Sequence, residues 1–380
     1  GLSWPVVLIG NKDMDKCELP WGDSACSLLA YQEDEYVIFK GKNIPPYNVG
    51  STLILCMNNR DISNLTIFNC ENIKVTNYRI VNGLGMGLLP IYTKNLTIDG
   101  LKMFYDDISC GIISNTADGI HAVSLKGNLI IKNSIITGTI DDAINIHSNY
   151  YVFDSLNGYE LTAICLGQSD AFKIFDVNDD IAIYNGHSLE KIDEAKILNI
   201  KQEGKKYVFT LNKSIKEVSK GSLIENLSTN PNVYITNCEF GKANTHLRFQ
   251  TRGEVIIDHC ITEMDLLFTG DTNFWYESSP VDNVLIQNTR FIMNKSGVVS
   301  IPEFKSTSVE PYYHKNITVK NCEFSSKNAL YMRYTDNINF YDCTNDENKT
   351  FDVFLDNCGT FSTNMKVNIK RVSTKSQRDE

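Results

Sequence analysis

One short phrase returns along the chain and leaves few folds open to it. It reads NLTIFNC at 64–70, NLTIDGL at 95–101, NLIIKNS at 128–134 and NVYITNC at 232–238. It continues as EVIIDHC at 254–260, NVLIQNT at 283–289, NITVKNC at 316–322 and NINFYDC at 337–343. Within each unit, aliphatic and β-branched residues alternate with polar ones, the period-2 signature of a short strand with one face inward. Cys238 and Cys260 are 22 residues apart, and Cys322 and Cys343 are 21 apart. Strands returning every 20-odd residues, with no helix-length pattern between them, predict an all-β solenoid of parallel coils. A parallel sheet with helical crossovers would need about a dozen further residues per connection. In a coil stack, equivalent residues lie about 4.8 Å apart. Cys70, Cys238, Cys260, Cys322 and Cys343 then read as small hydrophobes in an internal ladder, not as disulfides. The residue before each of them, most often Asn, reads as a side-chain ladder at a bend.

The rhythm breaks over 152–230. There DDIAIYN, AKILNIKQEGKKYVFTL and KGSLIENL read as hairpins of a small barrel inserted between coils, with Gly204 at a tight turn. The predicted organisation is a cap or lead-in region over 1–50, a first run of β-helix over 51–151 and the barrel over 152–230. A second run of β-helix follows over 231–372, with a frayed polar tail over 373–380. Of the 380 residues, 42% are hydrophobic and 22% charged, enough to bury a core of globular size. A net charge of −10 argues against nucleic acid as a partner. No apolar run is long enough for a transmembrane helix, so no membrane partner is expected. Eleven cysteines without a CxxC pair give no structural zinc pattern.

Two adjacent coils carry unusual acids, NTADGIH at 115–121 and DDAINIH at 141–147. Asp118 precedes Asp141 by 23 residues and Asp142 by 24, which is one coil, so stacking brings three carboxylates together. Three like charges at that range cannot all ionise comfortably, and one is expected to hold its proton. A protonated acid beside ionised partners is what glycoside hydrolysis uses, one to protonate the leaving oxygen and another to activate water. A lone Asp-Asp pair is more often a loop device that caps backbone N–H groups. A second acid one coil away, with His121 and His147 trailing the two motifs, shifts the balance to an active site. His121, Asn145 and His147 are placed with substrate binding, as are Trp275 and Glu277 in the WYES stretch between two coil phrases. An indole stacks on the apolar face of a pyranose, although a loop aromatic closing the core is an equal reading for Trp275. Arg248 and Arg252 read as cover for the stack. No metal and no cofactor are expected.

These motifs resemble the family 110 glycoside hydrolases, bacterial exo-acting α-1,3-galactosidases. NTADGIH and DDAINIHSNY carry the resemblance. NIKVTNYRIVNGLGMGLLPIYTKNLTIDGL, the inserted barrel and DTNFWYESSPVDNVLIQNTRF extend it over roughly 45–300. The resemblance implies a right-handed parallel β-helix with a small inserted barrel, and hydrolysis of terminal α-1,3-linked galactose with inversion. It places the catalytic roles on Asp118, Asp141 and Asp142. The implied partner is an oligosaccharide or glycoconjugate ending in α-galactose, with homo-oligomer formation left open, and the implied location is secreted or periplasmic. Two departures stand out. ANTH occupies 243–246 where the family carries an Arg-rich segment, and Ser148 stands where it carries Gly.

Two other functions compete. A polygalacturonase-like hydrolase shares the paired-acid pattern, but its Gly-His-Gly and Arg-x-Lys motifs have no counterpart on the right coil. A non-catalytic glycan-binding β-solenoid would explain the coils but has no use for three clustered carboxylates. No P-loop, GxGxxG, HExxH or GxSxG occurs.

Overall fold

The fold is taken from a computed structural model, which describes residues 6–10, 29–40, 52–56, 62–104, 113–166, 174–241, 246–272, 274–292, 296–303, 312–346 and 350–371. The coils stack into a parallel β-helix whose three faces are continuous ladders. One face is a nine-stranded sheet and another an eight-stranded sheet, both parallel throughout, while the third shares its sheet with the inserted barrel. Successive coils pair in register: Leu129 lies against Val233, Val233 against Val255, and Val255 against Val284. Alternation along each strand sends these residues inward, and Leu129, Val233, Val255, Ile286 and Ile317 are all essentially inaccessible. The interior is a single stack of aliphatic and aromatic rungs.

One corner of the coil explains why the phrase ends in Asn. Asn77, Gly100, Asn133, Asn237, His259, Asn288, Asn321 and Asp342 occupy equivalent positions, each left-handed with φ between 50° and 78°. Short polar side chains tolerate that conformation and hydrogen-bond locally. Their amides also reach along the stack: Asn237 Nδ2 donates to Asn133 Oδ1 at 2.8 Å, and Asn133 Nδ2 to Asp99 Oδ1 at 2.8 Å. Just past this corner Cys238, Cys260, Cys322 and Cys343 turn inward as free, buried thiols. Cys70 does not share their position. Its strand, Ser63–Phe68, pairs with Met86–Ile91 on a different face, and it is Glu71–Thr76 that stacks under Lys94–Asp99. The strand before Cys70 alternates as those of the nine-stranded face do, so the local pattern does not separate them.

Aromatic rungs fill the later coils. Phe291 and Phe324 stack with centroids 4.7 Å apart and an interplanar angle of 3°, and Phe340 and Phe351 pack edge-on against Phe324. Phe324→Ala is expected to cost about 3–5 kcal/mol, measured as a lower midpoint in urea unfolding, because the rigid coils close poorly over the void.

The strand Ile144–Asn157 belongs to two bodies. Its first residues pair in parallel with Ile120–Val123 and Leu247–Phe249 on the third face. Its last residues pair antiparallel with Glu160–Cys165 and Leu223–Asn226. From there the order Glu160–Cys165, Lys206–Leu211, Lys191–Glu203, Asp180–Tyr184, Leu223–Asn226 returns to the starting strand, closing an antiparallel barrel of six members. Tyr151, Phe175, Tyr207 and Phe209 fill it as a contiguous ring cluster. Arg252 of the solenoid ties the two bodies together. It forks onto the Glu225 carboxylate at 2.9 and 3.0 Å and also reaches Tyr184 and Asp282. Most of the expected 1–50 cap and the 373–380 tail lie outside the described residues. Within the former, Leu29–Glu33 and Tyr36–Lys40 form a hairpin, and Val6–Gly10 pairs with Thr52–Cys56.

Candidate active site

Asp118 sits on the bend before Ile120–Val123, and Asp141 and Asp142 sit on the bend before Ile144–Asn157. The two strands pair with Ile120 opposite Ile144, and carrying that register back two residues sets Asp118 beside Asp142. The bend is built by Asn115, whose Nδ2 donates to the carbonyls of Ala117 at 3.2 Å and Asp118 at 2.8 Å. Gly119 follows because a Cβ there would lie 2.6 Å from the Ala143 carbonyl oxygen. On the next coil Thr139 Oγ1 holds the Asp141 carbonyl at 3.0 Å.

The three carboxylates converge, one oxygen of each lying within 4.8 Å of the others. All are nearly closed off, at 3% exposure for Asp118 and Asp142 and 9% for Asp141. Two of them face cationic or cation-forming groups. Arg248 Nε lies 3.2 Å from Asp142 Oδ2, and the backbone N–H of His246 donates to Asp142 Oδ1 at 3.1 Å. His121 Nδ1 meets Asp118 Oδ2. Three convergent carboxylate oxygens could in principle ligate a cation. Here, however, the guanidinium already lies against Asp142 and the imidazole against Asp118, so two of the three carboxylates are engaged by side chains and the set fits a metal poorly.

His121, Asn145 and Arg248 form one row across adjacent strands of the third face. His147 lies two residues beyond Asn145, and its Nε2 is 3.0 Å from His121 Nε2. Glu277 enters from the antiparallel pair it makes with Asn149, approaching His147 Nε2 at 3.6 Å and Arg248 Nη1 at 3.7 Å. Gln250 Nε2 donates to Glu277 at 2.9 Å. Burial works against the Glu277 carboxylate, but His147, Arg248 and the Gln250 hydrogen bond overcome it and hold its pKa at about 2. Glu277 therefore contributes stability that is complete above its unfolded value of 4.5 and is lost as pH falls through about 2. Burial opposes the imidazolium of His121, yet Asp118, with Glu277 and Asp141, outweighs it and moves the ring above the ordinary histidine value. His147 moves the other way, because burial prevails over Glu277 and the neighbouring His121 adds to it.

The structure thus brings Asp118, Asp141, Asp142, His121, Asn145, His147 and Glu277 into one cluster. Trp275 stands apart from these hydrogen bonds. Its backbone N–H is held by Asp271, and its ring packs edge-on against Phe274 at 4.6 Å. Arg248 and Gln250, read from sequence as stack cover or not singled out at all, belong to the site. Arg252 is structural. Ser148, in place of Gly, is buried and bonds Ser124 and Thr229 through its hydroxyl, fastening the site strand to the chain returning from the barrel. Most of the ANTH segment lies outside the described residues.

Fold and site define a β-solenoid with a buried carboxylate cluster on one face. No family model matches the chain. Among curated proteins the chain resembles the α-1,3-galactosidase family of glycoside hydrolases. It is 27% identical over 292 residues to α-1,3-galactosidase B of Bacteroides thetaiotaomicron, covering 72% of this chain and 48% of that protein. It is 27% identical over 321 residues to α-1,3-galactosidase A of Bacteroides fragilis, covering 80% and 53%. It is 25% identical over 320 residues to α-1,3-galactosidase B of Akkermansia muciniphila, covering 79% and 40%. The chain spans about half the length of the curated relatives it matches.

Proposed function

We propose that this chain carries the catalytic site of an exo-acting, inverting glycoside hydrolase that removes terminal α-1,3-linked galactose from glycans. The observation that carries the proposal is the closely packed carboxylate trio with His121 and Arg248 set against it. In this reading Asp118 and Asp142, with His121 and Arg248 against them, are the pair that holds and activates water. Asp141 delivers its proton to the glycosidic oxygen. Asn145 supports the sugar, since its Oδ1 is buried and has no hydrogen-bond partner among the described residues, leaving an acceptor for a hydroxyl. Trp275 and Glu277 are assigned to the sugar's surroundings, and the enzyme's location is proposed as secreted or periplasmic.

The neutral sugar is favoured over a galacturonan because Arg248 is already shared between Asp142 and Glu277. A polyanion would compete with both carboxylates for it. The resemblance supports inversion, and the product tests it. Proton NMR of an α-1,3-galactosyl disaccharide digest should show β-galactose first, and α-galactose appearing first would remove inversion from the proposal. Activity should be unchanged in EDTA. Loss of activity in EDTA with recovery on adding calcium would overturn the metal-free scheme, and inactivity on every α-galactoside would overturn the substrate class.

A further inference from the structure

The two histidines of the site form a hydrogen-bond chain whose direction can be worked out from the atoms. His147 Nδ1 lies 2.7 Å from the carbonyl oxygen of Ser148, which can only accept, so Nδ1 carries a proton. A neutral His147 then has a bare Nε2. That nitrogen lies 3.0 Å from His121 Nε2, a contact that needs one donor and one acceptor, so the donor is His121. The other nitrogen of His121 faces the Asp118 carboxylate. With both ring nitrogens of His121 directed at acceptors, the ring is built to be an imidazolium.

We propose that His147 is a positioning residue that keeps His121 doubly protonated against Asp118, holding this carboxylate oriented at the reacting centre. The chain runs one way, from the Asp118 carboxylate through His121 and His147 to the Ser148 carbonyl. Asp118, Asp141 and Glu277 face His121, with Arg248 farther along the same row and apolar Leu89 on the adjoining strand Met86–Ile91. Glu277 also lies 3.6 Å from His147 Nε2, and burial outweighs it there. His147 is almost wholly enclosed, with 3% of its side chain exposed against 18% for His121, so the charge belongs on the outer ring. The opposed pKa directions of the two rings follow from the same arrangement. The reverse chain would place the charge on His147 and leave Asp118 facing a neutral ring.

The role assigned to Asp118 rests on the hydrolase reading above, but the protonation pattern is tested without activity. In protein with nitrogen-15-labelled histidine, His121 should show two protonated nitrogens at pH 7. His147 should be neutral, protonated at Nδ1 and bare at Nε2. A charged His147, or one protonated at Nε2, overturns the proposal with no substitution made. In His147→Leu, which removes the acceptor, the titration midpoint of His121 should fall by about one pH unit. The basic limb of kcat/KM on an aryl α-galactoside should move down with it. His147→Gln restores an acceptor without a titrating group and should recover most of both. If Leu and Gln give the same loss and the same limb, His147 only fills space and the proposal fails. A correct nitrogen pattern in a protein inactive on every α-galactoside would defeat the hydrolase reading alone.

Discussion

Asp141→Asn should lower kcat/KM on an α-1,3-galactosyl disaccharide by on the order of 10³-fold while leaving most activity on an aryl α-galactoside. General acid catalysis contributes about 10²–10⁴-fold, and it matters only where the leaving oxygen must be protonated. Asp118→Asn and Asp142→Asn should harm both substrates alike, since the attacking water is needed in either case. Azide should restore part of the activity of these two variants by replacing the water. The split is that of the proposed function: Asp142 has the Arg248 guanidinium at 3.2 Å and Asp118 has the His121 ring, while Asp141 also interacts electrostatically with both groups. Should Asp118→Asn show the leaving-group dependence and Asp141→Asn lose activity equally on both substrates, the roles are exchanged.

Arg252→Met should destabilise the protein by about 3–5 kcal/mol, seen as a lower unfolding midpoint in urea. The substitution leaves the Glu225 carboxylate, with no exposed side-chain area, facing the Tyr184 hydroxyl without its guanidinium. Arg252→Lys should recover little, because a lysine cannot form the two parallel hydrogen bonds now made to Glu225. Arg252→Met together with Glu225→Gln should lose less than the single change, as the second substitution removes the buried charge. If Arg252→Met unfolds at the same urea concentration as the parent, the joint between barrel and solenoid is not held by this pair.

The coil architecture was legible because each phrase states its own strand and its own corner. Asp118 and Asp142 were legible because one uninterrupted coil separates them, so spacing in sequence is spacing in the stack. Arg248 was not legible, although it lies in register with Asn145. The barrel intervenes, and 103 residues separate the two positions. Excising 152–230, which is 79 residues, reduces that to 24, the step from Asp118 to Asp142. The signal was present once the insertion was removed from the count. The displacement of Cys70 to another face had no such signal, since the strand before it alternates as the strands of the nine-stranded face do. The mutual contact of His121 and His147 was also hidden. Their motifs place both on outward positions, but the meeting of two ring nitrogens depends on rotamers that spacing does not specify.

The left-handed corner, one of several positive-φ positions along the coils, works as an index notch of a ratchet. If a coil slipped by one residue, the corner would fall to a neighbour such as Thr236 or Cys238, and an ordinary side chain at positive φ costs roughly 1–2 kcal/mol. The same slip would turn a buried row outward. With notches at Asn77, Gly100, Asn133, Asn237, His259, Asn288, Asn321 and Asp342, the error is corrected locally, turn by turn. Alignment of two acids from different turns then needs no contact between them. It is inherited from the indexing of the whole stack, with Asn115, Gly119 and Thr139 shaping the two bends locally.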